Sequence, residues 1–228
     1  MSASDDRRRF ERKYPLTAAE LLDFRWWHRT HGREFARTYD ERTIHNVYFD
    51  SPDWERHADN LSGTSSRTKC RLRWYGDLEA ADVVVFEAKH RRNAVGHKDQ
   101  HTLAAAGLGL ADLPLARLYA RLRPLLPGEL RLELDQGHRP ALYNRYRREY
   151  YATPNGIRMT VDTGIAYAPV QGGSLRSLRP IPSGAPTVVE VKYSSDRRVE
   201  AEVALRRLPF RATRSSKYVI GVDHLLPY

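Results

Sequence analysis

The sequence predicts an α+β protein: a largely antiparallel β-barrel closed on itself, with helices packed outside. Three observations lead there. Nine segments read as strands, charged side chains recur at every second position within several of them, and two strands carry apolar residues on both faces before meeting a carboxylate and an ammonium. The strand segments are residues 10–14, 43–49, 68–75, 83–90, 130–135, 142–152, 157–162, 165–168 and 187–193, most of them rich in β-branched and aromatic side chains.

Four helices complete the outline. Thr17 followed three residues later by Glu20 is a capping-box pattern opening a helix that carries Leu21, Leu22, Phe24 and Trp26 and stops near Gly32. A second helix lies within residues 113–122, a third runs over 196–208 before Pro209, and a short one follows Ser216. The Pro/Gly/Ser-rich stretch 169–186 reads as a long hairpin connection. No repeat or linker divides the chain, so residues 10–228 are expected to form one domain behind a flexible basic N-terminus, residues 1–9.

Composition narrows the class. The 228 residues hold 38 Lys and Arg against 28 Asp and Glu, a net charge of +10, with 41% hydrophobic residues and one cysteine. Disorder is excluded for most of the chain by its apolar content. No apolar run approaches the roughly 20 residues of a spanning helix, and residues 1–9 lack a signal-type apolar stretch, so a cytoplasmic protein without membrane insertion is expected. Cys70 has no disulfide partner in the chain and is expected to be buried and inert. The basic balance calls for an anionic partner: nucleic acid, an acidic membrane surface, or a phosphorylated molecule or polymer.

The alternation decides where the charges point. In the run 69–74, Lys69, Arg71 and Arg73 take one face and Cys70, Leu72 and Trp74 the other. The same period pairs Glu11 with Lys13, Glu87 with Lys89, Glu190 with Lys192, Arg148 with Tyr150, and Arg158 with Thr160 and Asp162. For any single strand, an open sheet with one wet face accounts for this. The runs 83–89 and 187–192 resist that account, because their apolar residues ask for burial on both faces while one face also carries charge. A closed barrel with a charged interior satisfies both demands. Its excess cations need a counter-anion, which a polyanionic ligand supplies, and its few carboxylates suit a hard divalent metal shared with phosphate.

Six short runs then carry a resemblance. Glu11-Arg12-Lys13-Tyr14, Val47-Tyr48-Phe49-Asp50-Ser51-Pro52, Arg71-Leu72-Arg73-Trp74-Tyr75-Gly76, Phe86-Glu87-Ala88-Lys89, Val189-Glu190-Val191-Lys192 and Ser216-Lys217-Tyr218-Val219-Ile220-Gly221-Val222 follow one another as in the VTC domain. This is the catalytic part of the vacuolar transporter chaperone polyphosphate polymerase, within the triphosphate tunnel metalloenzyme (CYTH-like) superfamily. The similarity runs from about Phe10 to Leu226. It implies a tunnel-shaped barrel, ATP and inorganic polyphosphate or triphosphate as partners, and Mn²⁺ or Mg²⁺ as cofactor. By position it implies that Arg71, Arg73, Lys89, Arg148 and Arg158 act on the reacting phosphates. Lys13, Lys98, Arg214 and Lys217 would bind the chain. Glu190 would hold the metal, with Glu11 and Glu87 as further ligands or as partners of Lys13 and Lys89. Lys98 reads as a loop residue and is placed by resemblance alone, and Arg214 stands where the family pattern has lysine.

The resemblance implies an ATP-dependent polyphosphate polymerase that transfers a γ-phosphoryl group. Two alternatives stand beside it: a triphosphatase acting on inorganic or nucleoside triphosphate through the same tunnel, and a non-catalytic module that captures polyphosphate or nucleic acid. A narrow interior site would exclude a duplex, so no stable nucleic-acid complex is expected. Oligomeric state is not legible in the sequence. The histidines form no carboxylate-supported metal set, and the pair Trp26-Trp27 reads as helix packing.

Overall fold

The computed structural model describes residues 9–92, 95–106, 108–136, 138–170, 172–182, 184 and 186–225. Apart from the start of the first strand, the N-terminal arm called flexible lies outside the described residues. In chain order the elements are β1 (Arg9–Leu16), α1 (Ala18–Thr30), β2 (Ala36–Asp50), α2 (Glu55–Ser62), β3 (Ser66–Tyr75), β4 (Val83–Arg92), β5 (Val95–Ala104), α3 (Leu118–Leu122), α4 (Gly128–Asp135), β6 (Arg139–Ala152), β7 (Arg158–Pro169), β8 (Ile181–Pro182), β9 (Thr187–Ser194), α5 (Arg198–Ala204) and α6 (Lys217–Leu225). The strands pair in the order β1-β9-β7-β6-β2-β3-β4-β5, with β8 on β7. Pairing is antiparallel for β1 with β9, β9 with β7, β2 with β3, β3 with β4, and β4 with β5. Among the described residues no helix is long and apolar enough to cross a membrane.

The chain divides into two compact units, one of Met1–Arg42, Arg147–Ile165 and Gly184–Ser215, the other of Thr43–Tyr146, Ala166–Ser183 and Ser216–Tyr228. In the first, α1 and α5 lay Phe24, Trp27, Ala201 and Ala204 on Tyr14, Leu16, Met159, Val161, Val189 and Val191. These strand positions alternate with Lys13, Thr160 and Glu190, so one sheet face is apolar and helix-covered while the other carries charge. The second unit repeats the plan: α3 and α4 bring Leu118, Leu122, Leu130 and Leu134 to Val47, Phe49, Cys70, Leu72, Trp74, Phe86 and Ala88. The capping box at Thr17 is formed, with the Glu20 amide donating to the Thr17 hydroxyl at 3.2 Å and the Thr17 amide to the Glu20 carboxylate at 2.8 Å.

Several expected elements differ. Residues 130–135 form helix α4, not a strand. Leu130, Leu132 and Leu134 satisfy a two-residue period, but Leu126, Leu130 and Leu134 also satisfy the four-residue helical one; those three are buried and Leu132 is 67% exposed. Lys98 lies in strand β5, not in a loop. This edge strand has little apolar pattern of its own and is held by its ladder to β4. Segments 157–162 and 165–168 are one strand, β7, passing through Gly164 at φ +60°, a conformation that glycine adopts cheaply. Helix α2 and the start of β2 at Ala36 were not foreseen, and the connection 169–186 carries the short strand β8.

The two runs expected to be apolar on both faces behave differently. In β9 both faces are buried, with Val188 beside Glu190 on one and Val189 and Val191 on the other. In β4, Val84 and Phe86 are buried, but Val83 at the strand's start is 46% exposed.

Candidate functional site

In the second unit the charged face is built on three adjacent strands. Register aligns Arg71 of β3 with Glu87 of β4 and Gln100 of β5; the neighbouring rung is Lys69, Lys89 and Lys98, three cations in line. Glu87, only 4% exposed, is the hub. Its carboxylate accepts from Arg71 Nε at 2.6 Å and lies 3.5 Å from both Arg73 Nη1 and Lys98 Nζ. Burial alone would raise this carboxyl; Arg71, with Lys98 adding to it, reverses the effect and holds it below the usual carboxylate range. Arg73 Nε also donates to Asn46 Oδ1 at 3.1 Å, and Asn46 donates to Asn144 at 2.8 Å, so a buried amide pair orients the guanidinium. Lys98 Nζ further donates to Gln100 at 2.6 Å. Lys217, at the start of α6, places its ammonium 4.8 Å from the centroid of the Tyr146 ring.

In the first unit, Lys13 of β1 opposes Glu190 of β9, and Glu11 opposes Lys192. Lys13 Nζ lies 2.8 Å from Glu11 and 3.8 Å from Glu190; Lys192 Nζ lies 4.0 Å from Glu11 and in close contact with Glu190. Two lysines thus bridge two carboxylates. Glu190 is 8% exposed; burial would raise its carboxyl, but Lys192, Lys13 and Arg148 together hold it far below its ordinary range. Arg148 grips the fully buried Asp162 through Nε at 2.5 Å and Nη2 at 2.7 Å. Arg158 opposes Lys192 and has an exposed side chain. Arg214 sits in the irregular segment that runs beside Lys13, where the Thr213 amide donates to the Lys13 carbonyl and Lys13 Nζ donates to the Ser215 carbonyl at 3.1 Å.

Each unit therefore brings part of the expected set together: Glu11, Lys13 and Glu190 with Arg148 and Arg158 nearby in one, Arg71, Arg73, Glu87, Lys89 and Lys98 in the other. Sequence reasoning omitted Lys69, Lys192 and Asp162 from the candidate residues although strand alternation had put all three on the charged faces. Asn46 and Asn144 had no signal short of the register.

Among the described residues no group of three or more His, Cys, Asp or Glu side chains is arranged to hold a metal unaided. Glu190 with Glu11 nearby offers one or two carboxylates instead. That donor set fits a hard divalent ion that arrives with phosphate and keeps water in its remaining positions, as Mg²⁺ commonly does.

Comparison with known proteins adds four likenesses. The VTC domain family model matches residues 8–226. Subunit 4 of the vacuolar transporter chaperone complex of Schizosaccharomyces pombe is 30% identical over 67 residues, a stretch covering 29% of this chain and 9% of that protein. HpAC1 from Hippeastrum, a candidate adenylyl cyclase with a dominant triphosphatase activity, superposes with a TM-score of 0.56 at 16% identity, over 96% of this chain and 97% of that one. The PH1819 protein from Pyrococcus horikoshii OT3 gives 0.52 at 15% identity, over 94% and 98%. At these identities the structural likeness is one of fold.

Proposed function

Because the chain belongs to the VTC domain family, matched from residue 8 to 226, we propose that it is an ATP-dependent polyphosphate polymerase working inside a closed, basic tunnel barrel. The observation that carries this reading is the imbalance on β3, β4 and β5, where Lys69, Arg71, Arg73, Lys89 and Lys98 share a face with Glu87. Like charges directly opposite one another across strands are destabilising. A polyphosphate anion relieves them, with arginine forks taking paired oxygens and lysines acting as point charges.

The reaction asks little of a general base. The nucleophile is a terminal phosphate oxygen that is already anionic; it forms a bond to the γ-phosphorus as the bond from that phosphorus to the β–γ bridging oxygen breaks and ADP leaves. The barrier lies in bringing anions together and spreading charge on the transferring group. In this reading Arg71, Arg73 and Lys89 neutralise the triphosphate, and Arg148, oriented by Asp162, acts with Arg158 on the transferring and accepting phosphates. Lys13, Lys98, Arg214 and Lys217 guide the chain. Glu190, with Glu11, holds Mn²⁺ or Mg²⁺, which when bound supplies further neutralisation of phosphate oxygens. Glu87 serves as internal counter-ion of the arginine pair.

Purified protein with ATP and Mn²⁺, its products resolved by gel and by phosphorus NMR, tests this. ADP and chains of internal phosphates are expected. Release of ADP and orthophosphate without chains would replace synthesis by hydrolysis with water as acceptor, the second reading, which the dominant triphosphatase activity of the fold relative HpAC1 favours. A cytoplasmic setting belongs to the same proposal.

A further inference from the structure

The run Ser216-Lys217-Tyr218 is tied to the end of β2 by a buried carboxylate. Asp50 is fully buried. One of its oxygens accepts from the amides of Ser51 at 2.7 Å and Arg56 at 2.9 Å; the other accepts from the His57 amide at 3.0 Å and from the Tyr218 hydroxyl in a short contact. The turn from β2 into α2 thus forms a socket for the phenol. Farther along α6, His57 Nε2 meets Asp223 Oδ1 at 2.7 Å. Between these two ties, a Cβ on Gly221 would come within 2.5 Å of the Tyr167 ring, so the helix approaches the sheet as closely as its backbone allows.

Consecutive residues of a helix point about 100° apart. Seating Tyr218 in the socket therefore sets the direction of Lys217, whose ammonium lies over Tyr146. It also sets Ser216, whose hydroxyl accepts from Lys69 Nζ at 2.9 Å, and Lys69 belongs to the three-lysine rung. We infer that Asp50 and Tyr218 are positioning residues: through the rotation of α6 they hold Lys217 and Ser216 at the charged face, where they complete the binding of a phosphate chain. The second half of this statement rests on the function proposed above; the first does not.

Tyr218→Phe is the primary variant, since it removes the hydroxyl and keeps the buried ring; Asp50→Asn is the second. Acylation of Lys217 is followed by mass spectrometry in the free protein and with tripolyphosphate. Released from Tyr146, Lys217 is expected to react at least threefold faster in Tyr218→Phe and to lose its protection by tripolyphosphate. Tripolyphosphate affinity is measured alongside in a double-mutant cycle with Lys217→Ala. If Tyr218 acts through Lys217, its substitution weakens binding several-fold in the wild-type background and has little further effect once Lys217 is gone. An unchanged Lys217 rate, or additive losses in the cycle, would overturn the inference. Absence of tripolyphosphate binding by the wild-type protein would instead overturn the proposed function, and the free-protein acylation rate would still decide the positioning role.

Discussion

Replacing Glu87 by Gln removes the hub of the β3–β5 face while conserving its shape. Its carboxylate meets Arg71 at 2.6 Å and Arg73 and Lys98 at 3.5 Å, and its own side chain is only 6% exposed. Removing one partner of a buried ion pair typically costs about 3–5 kcal/mol, because the remaining charge stays buried and uncompensated. The side chains of Arg71 and Lys98 keep 25% and 47% of their exposure, so the loss should fall at the low end, about 3 kcal/mol. In a chain of this size that is a drop in Tm of roughly 6–12 °C. The pH dependence carries a sign. Glu87 titrates below its ordinary range in the folded protein, so its contribution is full above the unfolded carboxyl value of about 4.3 and fades as pH falls through the lower folded value. The stability curves of the wild type and of Glu87→Gln, measured by denaturant titration, should therefore converge toward acid pH. Tripolyphosphate should restore more stability to the variant than to the wild type, because it replaces a missing negative charge. A loss below about 0.5 kcal/mol at neutral pH would refute the reasoning, since it would mean these cations are fully solvated.

Other expectations follow from the same geometry. Lys89→Ala should lower turnover by about 100-fold or more while leaving the denaturation midpoint close to wild type, because it relieves repulsion from Lys69 and Lys98 across the rung; wild-type rates would exclude the assigned role. Leu134→Ala should destabilise by about 2–5 kcal/mol and Leu132→Ala by less than about 0.5, a contrast that a strand over 130–135 would not produce. Cys70, whose thiol is pushed up to about 12 chiefly by burial, should resist aromatic disulfide reagents at about pH 8 until the protein is unfolded; rapid native-state labelling would contradict this.

Much of the charged face was legible because side-chain direction in a strand is a local property. Arg71 and Arg73 must oppose Leu72 and Trp74 whatever the rest of the chain does, and the Thr17–Glu20 capping box lies within four residues. Where two periods fit the same leucines, as over 126–134, the choice fell to the packing partner: helix α4 buries Leu130 and Leu134, with Leu126 just before it, against one core, which a strand of the same residues would not do while leaving Leu132 outside. Strand β5 had no pattern to read, because its conformation is imposed by β4.

The amino-acid order by itself determined which residues could share a face and that cations would outnumber carboxylates there. Only the tertiary structure decided that Glu87 would serve Arg71, Arg73 and Lys98, that Lys192 and Lys13 would both reach Glu190, and that Asp50 would seat Tyr218. Lys13 with Glu190 and Asp50 with Tyr218 join residues far apart in the chain, and the Glu87 pairings cross neighbouring strands; all of these depend on strand register or helix rotation, which no local period encodes, whereas Lys192 and Glu190 share a face by alternation alone.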